Sequence, residues 1–253
     1  MSERDFADHF SSRAAAYAAY RPTYPDAFIA WLASLAPARE LAWDAGTGNG
    51  QAATMLASHF AEVVATDPSA EQLARARPDP RVTYRLGREG ESGLAAGRVD
   101  LVTVAQALHW FDRARFYHEA QRVLRPRGVI AVWCYSLARM EPAIAAAFDH
   151  WHETRVKRHW PPERRHTDNG YRDLDFPFDE ITAPEWTMTA HLTRAQFLGY
   201  IGTWSAVMNA QQREGLDLAA ELAAALEPVW RSDDPRAVRI DWPIGLRVGR
   251  RRG

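Results

Sequence analysis

The clearest signal of the fold is the stretch Leu41-Ala42-Trp43-Asp44-Ala45-Gly46-Thr47-Gly48-Asn49-Gly50-Gln51. A short apolar run ends in an acid, glycine then stands at every second position, and helix-forming residues follow. Glycine takes positive φ readily and lets another molecule approach the backbone closely. A strand that leads through such a turn into a helix presents backbone N–H groups, which suit a negative group. The stretch therefore predicts a nucleotide-type site, although a glycine-rich connection in an unrelated α/β fold would give the same pattern.

The spacing of the three glycines distinguishes two kinds of cofactor. The dinucleotide fingerprint is G-x-G-x-x-G, whereas the turn here reads G-x-G-x-G and Gln51 stands where the third glycine would be. Asp44 stands just before the turn, where it would repel a pyrophosphate but suits a ligand that carries an ammonium group. S-adenosylmethionine (SAM) carries an ammonium group and a carboxylate, so the turn favours SAM over NAD.

Composition excludes several classes of protein. The chain has 253 residues, a formal net charge of −1 and a pI near 6.8, so no global field draws it to nucleic acid or to an acidic membrane. Its single cysteine, Cys134, excludes an internal disulfide and a multi-cysteine metal site. The histidines at positions 150, 152, 159 and 166 lack a carboxylate pattern typical of a metal site. We expect a cytoplasmic protein without a metal, while the oligomeric state stays open.

Short apolar strands alternate with helices from residue 41 to residue 135. The predicted strands are Leu41–Asp44, Glu62–Asp67, Arg81–Leu86, Val99–Ala105 and Val129–Tyr135. Because helical segments separate them, we expect an α/β fold with a mostly parallel, Rossmann-like sheet and helices on both faces. Ligands of such sheets bind at the carboxyl ends of the strands.

We expect one domain with four parts. Residues 1–37 form an N-terminal arm and helix, 38–136 the cofactor-binding core, 137–236 substrate-side helices and a loop, and 237–253 the last strand and tail. In the third part, helices are predicted at 140–158, 193–210 and 216–230. Residues 180–192 read as extended, and Pro184 favours an edge strand or a bulge.

Chemically active side chains follow the strands. Asp67 ends the second strand, at the place where an acid takes two ribose hydroxyls. Glu89 lies in the loop after the third strand, where an adenine edge would be read. The fourth strand runs into Gln106-Ala107-Leu108-His109-Trp110-Phe111-Asp112, which places His109 and Trp110 at the expected cleft.

These motifs together resemble class I SAM-dependent methyltransferases. The residues that carry the resemblance are Asp44 to Gly50, Asp67-Pro68-Ser69, Ala105 to Asp112 and Leu124-Arg125-Pro126-Arg127-Gly128. The His-Trp-Phe-Asp segment and the Tyr-Arg-Pro-Thr-Tyr-Pro arm at 20–25 look closer to one branch, which includes trans-aconitate methyltransferase-like (methyltransferase type 11) proteins. The clear resemblance extends from about Phe10 to Tyr135.

The resemblance implies a seven-stranded sheet whose last strand, at 237–248, is antiparallel. It also implies a SAM site in which the glycine turn passes the methionine part, Asp44 faces the amino group and Asp67 holds the ribose. The implied cofactor-binding residues are Asp44, Gly46, Thr47, Gly48, Gly50, Asp67, Pro68, Glu89, Gln106 and Ala107. The branch usually places Ala-Glu after the third strand, whereas this chain has Arg88-Glu89-Gly90-Glu91, so the assignment of Glu89 is the least supported. S-adenosyl-L-homocysteine would be the product.

Methyl transfer is an in-line displacement, so the protein mainly aligns the reactants and excludes water. A small-molecule acceptor with a carboxylate or hydroxyl oxygen is favoured. A hydroxyl would need a base, for which His109 is the candidate catalytic residue, whereas a carboxylate would need Arg or Tyr donors. The candidate substrate-binding residues are Tyr17, Arg21, Tyr24, His109, Trp110, Trp133, Tyr135 and Trp204.

Three other functions fit the sequence less well. A protein of the same fold could bind SAM without turnover, because intact cofactor residues do not prove an acceptor site. An NAD-dependent oxidoreductase is less favoured, since the third fingerprint glycine and a Tyr-x-x-x-Lys pair are missing. A nucleic-acid methyltransferase is also less favoured, because no Asn-Pro-Pro-Tyr-like or Pro-Cys motif follows the fourth strand and the charge is balanced.

Overall fold

The computed structural model describes residues 22–252, and these form two compact units. The first, here called the sheet unit, comprises Thr23–Ser136, Arg165–Thr187 and the chain from Pro243 onward. The second, the helical unit, includes Leu137–Arg164 and Met188–Trp242. Tyr17 and Arg21, two predicted substrate-binding residues, lie outside the described part of the chain. The single-domain organisation stays a prediction.

Strands and helices alternate as expected. The strands are β1 Leu41–Ala45, β2 Glu62–Asp67, β3 Val82–Leu86, β4 Val99–Ala105, β5 Leu124–Tyr135, β6 Asp179–Ile181, β7 Trp186–Leu192 and β8 Val238–Arg250. The helices are α1 Asp26–Leu35, α2 Gln51–Leu56, α3 Ala70–Ala74, α4 Arg113–Val123, α5 Pro142–Trp151, α6 Arg165–Asp168, α7 Arg194–Ile201, α8 Ser205–Glu214 and α9 Leu218–Leu226.

The sheet has the strand order β3-β2-β1-β4-β5-β8-β6, and β7 also pairs with β8. Strands β1 to β5 are parallel, and β8 runs antiparallel to β5. The Rossmann-like, mostly parallel fold with an antiparallel last strand is therefore confirmed. Strand β1 lies between β2 and β4, so the order in which the strands are added reverses beside β1. Ligands of such sheets bind at the carboxyl ends of the strands at this position.

Strand register places the candidate residue Asp44 in the middle of the sheet, between β2 and β4. Asp44 of β1 pairs with Ala65 of β2 on one side and with Thr103 of β4 on the other. The strand interiors are apolar and almost fully buried, as expected for a parallel sheet covered on both faces. A buried acid in such surroundings needs hydrogen-bond donors, and the threonine beside it on β4 can supply one.

The sheet has eight described strands where seven were expected. The difference lies in the extended segment from 179 to 192, which forms β6 and β7 on either side of Pro184. Proline has no backbone N–H and cannot continue a hydrogen-bonded ladder. One predicted edge strand is therefore interrupted, and both of its halves pair with β8.

The helical unit corrects two predicted helices. The segment 140–158 is α-helical only through Trp151 and continues as a π-helical turn, His152–Val156, and a 3-10 turn. The predicted helix 193–210 divides into α7, which ends at Ile201, and α8, which begins at Ser205. Between them the hydroxyl of Thr203 donates to the carbonyl of Tyr200 at 2.7 Å. Local side-chain bonds of this kind compete with helix continuation.

An aromatic core holds the helical unit together. Trp204 contacts Phe148, Trp151 and Tyr200 with ring centroids 5.7 to 6.3 Å apart. Such pairs add about 0.5–1.5 kcal/mol each beyond the area that they bury. Trp204 is therefore buried in this core, and its assignment as a substrate-binding residue stays a prediction.

No helix in the described part of the chain is long and apolar enough to cross a membrane.

Candidate active site

The glycine turn after β1 is held by the end of β2. Gly46, Gly48 and Gly50 have φ of 68°, 56° and 81°. The backbone N–H groups of Gly46 and Thr47 both donate to the carbonyl of Thr66, at 2.8 and 3.0 Å. The left-handed backbone that the sequence predicts is therefore present, and it begins α2 through Gly50 as N-cap.

The three glycines differ in the space around them. A Cβ at position 46 would lie 2.7 Å from Cβ of Ala107 and 2.9 Å from Cζ of Phe111. A Cβ at position 50 would overlap the hydroxyl of Tyr84, whereas one at position 48 would meet nothing within 4 Å. The turn is thus packed at both ends and open in the middle, at Gly48.

Asp44 is fully buried beneath this turn. Its Oδ2 accepts the hydroxyl of Thr47 at 2.6 Å and its Oδ1 accepts the hydroxyl of Thr103 at 2.7 Å. Burial raises the pKa of Asp44 to about 6, although both hydrogen bonds lower it, and the negative charge of Asp67 raises it further. Both carboxylates therefore face the same region, which suits a cationic ligand group better than a pyrophosphate.

Asp67 connects the end of β2 to the turn. Its Oδ2 accepts the backbone N–H of Gly48 at 2.8 Å, and its Oδ1 accepts that of Ser69 at 2.9 Å. Burial raises the pKa of Asp67 more than these two bonds lower it. A carboxylate has about four lone-pair sites, so this group retains acceptor capacity for hydroxyl donors. Pro68 follows it and leads into Ser69, which caps α3.

The segment after β4 packs against the turn. Gln106 has a positive φ of 59° and donates its N–H to the carbonyl of Trp133 at 2.9 Å. A non-glycine residue in this region stores strain, which concentrates at functional sites. Ala107 and Phe111 of the same segment form the wall beside Gly46. The 106–111 segment thus brings the end of β4 to the glycine turn.

Glu89 reaches the end of this segment from the loop after β3. Its Oε1 accepts the backbone N–H of Asp112 at 2.9 Å, and Asp112 in turn caps α4. The contact joins the loop that was expected to read adenine to the segment that carries His109.

His109 lies in the 3-10 turn Leu108–Trp110 and is buried. Its Nδ1 lies 2.9 Å from the phenolic oxygen of Tyr171, a fully buried residue that follows α6. Sequence reasoning missed Tyr171 because it lies in the irregular stretch 159–179. The pair Asn169-Gly170 directly before it marks a turn, and that signal could have drawn attention to the aromatic residue.

A second polar cluster, also missed from the sequence, holds the loop between β3 and β4. Glu119 on α4 accepts hydrogen bonds from the N–H and hydroxyl of Ser92 and from the guanidinium of Arg122. Arg122 also donates to the carbonyl of Leu94 at 2.7 Å. Burial raises the pKa of Glu119, but the bonds from Arg122 and Ser92 outweigh it and hold the pKa below its usual value. The cluster fixes this loop on α4.

The remaining candidates within the sheet unit are buried or half-buried. Trp133 of β5 is fully buried and contacts Tyr24 and Phe28 edge to face, with ring centroids 5.4 and 5.3 Å apart. Tyr135 ends the same strand and is buried, and Trp110 lies half-buried beside His109, with 4.8 Å between the ring centroids. Their roles toward a substrate stay predictions.

Comparison with known proteins identifies the family. The sequence profile of the methyltransferase domain family matches residues 43–132, which include the glycine turn, Asp67 and the segment after β4. A protein of Dictyostelium discoideum named as a methyltransferase is 31% identical over 245 residues, which cover 94% of this chain and 93% of that protein. The chain belongs to the class I SAM-dependent methyltransferases.

Two further relatives agree with this assignment. The solved structure of a type II methyltransferase from Anaeromyxobacter dehalogenans is 44% identical to this methyltransferase and superposes with a TM-score of 0.86, covering 92% of this chain and 98% of that one. An uncharacterized methyltransferase of Mycobacterium tuberculosis is 42% identical over 134 residues, 52% of this chain and 54% of that protein. The enzyme is therefore a SAM-dependent methyltransferase, and SAM is its cofactor.

The site of the methyltransferase fits SAM on its own chemistry. The turn is open at Gly48, and two carboxylates converge beneath and beside it. An ammonium group and two ribose hydroxyls are the donors that such acceptors bind. Among residues 22–252, no group of His, Cys, Asp and Glu side chains has an arrangement that could hold a metal ion.

Proposed function

We propose that this methyltransferase transfers the methyl group of SAM to an oxygen atom of a small-molecule acceptor, with a carboxylate or a hydroxyl as the favoured acceptor group. One observation carries the proposal. The 106–111 segment, which holds His109, packs directly on the glycine turn at Gly46. A polar side chain at the end of β4 thereby lies on the same segment that walls the cofactor turn.

We assign the cofactor roles by the contacts around the turn. Asp67 is the acceptor for the ribose hydroxyls, because its burial and its two backbone bonds fix its position at the end of β2. Asp44 attracts the ammonium group from below, and Gly46, Thr47, Gly48 and Gly50 shape the passage for the methionine part. Pro68, Gln106, Ala107 and Glu89 line the remaining sides of the proposed site.

Bound SAM supplies a methyl group on a sulfonium, a leaving group that needs no further activation. The chain's own residues are left to orient the acceptor and to exclude water. In this proposal His109 supplies the polar contact to the acceptor, and Trp110, which lies half-buried beside His109, supplies apolar surface. A small-molecule acceptor agrees with the formal net charge of −1, since a nucleic-acid acceptor would call for a basic surface.

Calorimetric titration tests the cofactor half of this proposal. SAM and NAD are titrated separately into the wild-type protein and into two variants. Asp67→Ala removes the proposed ribose acceptor, and Asp79→Ala removes an acid whose carboxyl pairs with Arg81 at the surface. We expect SAM to bind wild type and Asp79→Ala with equal affinity and to bind Asp67→Ala at least about tenfold more weakly. NAD should not bind. Equal SAM binding by both variants would contradict the assignment of Asp67.

The acceptor half needs a second measurement. SAM with a labelled methyl group is incubated with the enzyme and with small carboxylic acids, alcohols or amines in separate panels. We expect label in an oxygen-linked product from the first two panels. Transfer only to nitrogen would overturn the oxygen assignment and leave the cofactor site intact.

A further inference from the structure

The contact between His109 and Tyr171 carries information about the proton on the histidine ring. Nδ1 of His109 and the phenolic oxygen of Tyr171 are 2.9 Å apart, and both side chains are buried, with 7% and 0% of their surfaces exposed. A neutral imidazole has one nitrogen that donates and one that accepts. The nitrogen that faces Tyr171 therefore decides which role remains for Nε2.

Tyr171 is held in place by its backbone. It has a positive φ of 65°, its N–H donates to the carbonyl of His166 at 2.9 Å, and its carbonyl accepts from Arg247 of β8 at 3.2 Å. The preceding Gly170 packs closely on Gly245, so that a Cβ at position 245 would overlap the Cα of Gly170. The phenol of this buried residue therefore reaches His109 from a backbone that is held in place.

The chemistry of the two groups assigns the direction of the bond. A phenol with a pKa near 10 is a good hydrogen-bond donor, and its oxygen is a poor acceptor because its lone pair is delocalised into the ring. The bare nitrogen of a neutral imidazole is a strong acceptor. The stronger arrangement has the O–H of Tyr171 donating to Nδ1 of His109.

We propose that Tyr171 is a positioning residue that holds His109 as the tautomer protonated at Nε2, so that His109 donates a hydrogen bond to an acceptor oxygen and does not act as the base. The inference rests on the proposed function and narrows it to a carboxylate acceptor. In such a reaction, an oxygen lone pair forms the new C–O bond while the bond from methyl to sulfur breaks, with its electron pair passing to sulfur. No proton is released, so no base is needed.

A hydroxyl acceptor would place the opposite demand on the site. It must lose its proton during the reaction, and this requires a nitrogen with a lone pair directed at it. In the Nε2-protonated tautomer the lone pair is on Nδ1, where it accepts the bond from Tyr171. A carboxylate instead needs donors, and a neutral N–H donor to an anionic oxygen is among the stronger hydrogen bonds.

Nuclear magnetic resonance of the imidazole nitrogens tests the tautomer without any acceptor or cofactor. Protein labelled with ¹⁵N at histidine is measured at a pH at which His109 is neutral, and His109→Gln assigns its signals. We expect the signal of Nδ1 well downfield of that of Nε2, which marks a proton on Nε2. A proton on Nδ1 in the wild-type protein would overturn the proposal, even if every variant failed to fold.

Two phenylalanine variants separate positioning from packing. Tyr171→Phe removes the donor, and we expect a mixture of both tautomers. Tyr117→Phe is the matched control, because Tyr117 is also buried and its hydroxyl has no hydrogen-bond partner among the described residues. It should leave the tautomer of His109 unchanged. An unchanged tautomer in Tyr171→Phe would show that the phenol does not set it.

The donor role is tested on a carboxylic acid that the acceptor screen finds to be methylated. His109→Gln keeps an N–H donor and has no basic nitrogen, whereas His109→Ala has neither. We expect His109→Ala to lower kcat/KM by about tenfold to a hundredfold, the worth of one hydrogen bond to a charged group, and His109→Gln to recover most of the loss. Equal losses in the two variants would contradict a donor role. If the wild-type protein did not bind SAM, the proposed cofactor site would be overturned. The tautomer of His109 is measured without cofactor, so that result would be unaffected.

Discussion

Asp67 Oδ2 lies 2.8 Å from the backbone nitrogen of Gly48, so the carboxylate that ends β2 also holds the turn that ends β1. Its other oxygen holds the N–H of Ser69 at the start of α3. One side chain therefore fixes three neighbouring parts of the proposed cofactor site before any ligand binds. Preorganisation of this kind lowers the cost of ordering the site on binding.

The first prediction concerns the amides that Asp67 holds. In Asp67→Ala the N–H groups of Gly48 and Ser69 lose their acceptor, and we expect their hydrogen exchange to accelerate at least about tenfold, the equivalent of about 1.4 kcal/mol. The amide of Gly46 is an internal control, since it donates to the carbonyl of Thr66 and should change little. Equal acceleration at all three amides would mean that the whole turn, rather than this contact, had opened.

The second prediction compares two glycines of the turn. Both have positive φ, but a Cβ would be free of neighbours at Gly48 and would overlap Tyr84 at Gly50. We expect Gly48→Ala to cost about 1–2 kcal/mol of unfolding free energy for the left-handed backbone alone, and Gly50→Ala to cost more because Tyr84 must give up its bond to the carbonyl of Arg77. Urea unfolding measures both.

The same two variants also test the proposed position of the cofactor. If SAM passes over Gly48, the added methyl group in Gly48→Ala will reduce the free energy of SAM binding by more than it reduces the free energy of unfolding. Unchanged SAM affinity in Gly48→Ala would place the ligand elsewhere.

The third prediction is a pH dependence that arises from Asp44. Burial raises the pKa of this carboxyl from 3.8 to about 6. Between these values the unfolded chain has released the proton and the folded protein still holds it, so this group lowers stability as pH rises. The loss amounts to about 3 kcal/mol and is complete above about pH 6.

Urea unfolding of Asp44→Asn at pH 4 and pH 7 isolates this contribution. At pH 4 part of the loss has already occurred, so we expect the stability of the variant relative to wild type to rise by about 2 kcal/mol from pH 4 to pH 7. Asp79→Asn is a control of opposite sign, because the N–H and side chain of Arg81 hold the pKa of the exposed Asp79 carboxyl below its usual value. A parallel response of the two variants would contradict the assignment to Asp44.

The fourth prediction concerns the buried acceptor Glu119. Glu119→Ala leaves Ser92 and Arg122 without the oxygen atoms that they bind, and we expect a loss of about 2 kcal/mol in unfolding free energy. Glu71→Ala removes the partner of Arg75 in an exposed i,i+4 pair on α3 and should cost at most about 0.5 kcal/mol. Thermal or urea denaturation compares the two variants. Equal losses would show that the buried bonds of Glu119 contribute no more to the free energy of unfolding than an exposed ion pair.

The sequence was sufficient for the parts of the fold that depend on local pattern. Strands β1 to β4 and the turn at 46–50 follow from apolar periodicity and glycine chemistry, and the structure has them within one residue of the predicted bounds. Strand β5 begins at Leu124, five residues before the predicted Val129. The antiparallel last strand came from the family resemblance, and β8 confirms it.

Contacts between distant segments could not be predicted from one sequence. Tyr171 is 62 residues from His109, and Glu119 is 27 residues from Ser92. Nothing in the local pattern of either segment names its partner, because the pairing depends on how α4 and α6 pack on the sheet. The predicted helix 193–210 was wrong at its middle, where α7 ends at Ile201 and the N–H and hydroxyl of Thr203 both donate to the carbonyl of Tyr200.

The interruption at Pro184 has a consequence for how the protein behaves when it is crowded. Open sheet edges can recruit strands from other molecules and start aggregation. The β6 side of this sheet ends in a strand of three residues, two of them the acids Asp179 and Glu180, and a proline follows before β7 begins. A short, charged and broken edge is a poor template for a neighbouring chain. The same proline that divides the strand therefore protects the fold against growth into larger sheets.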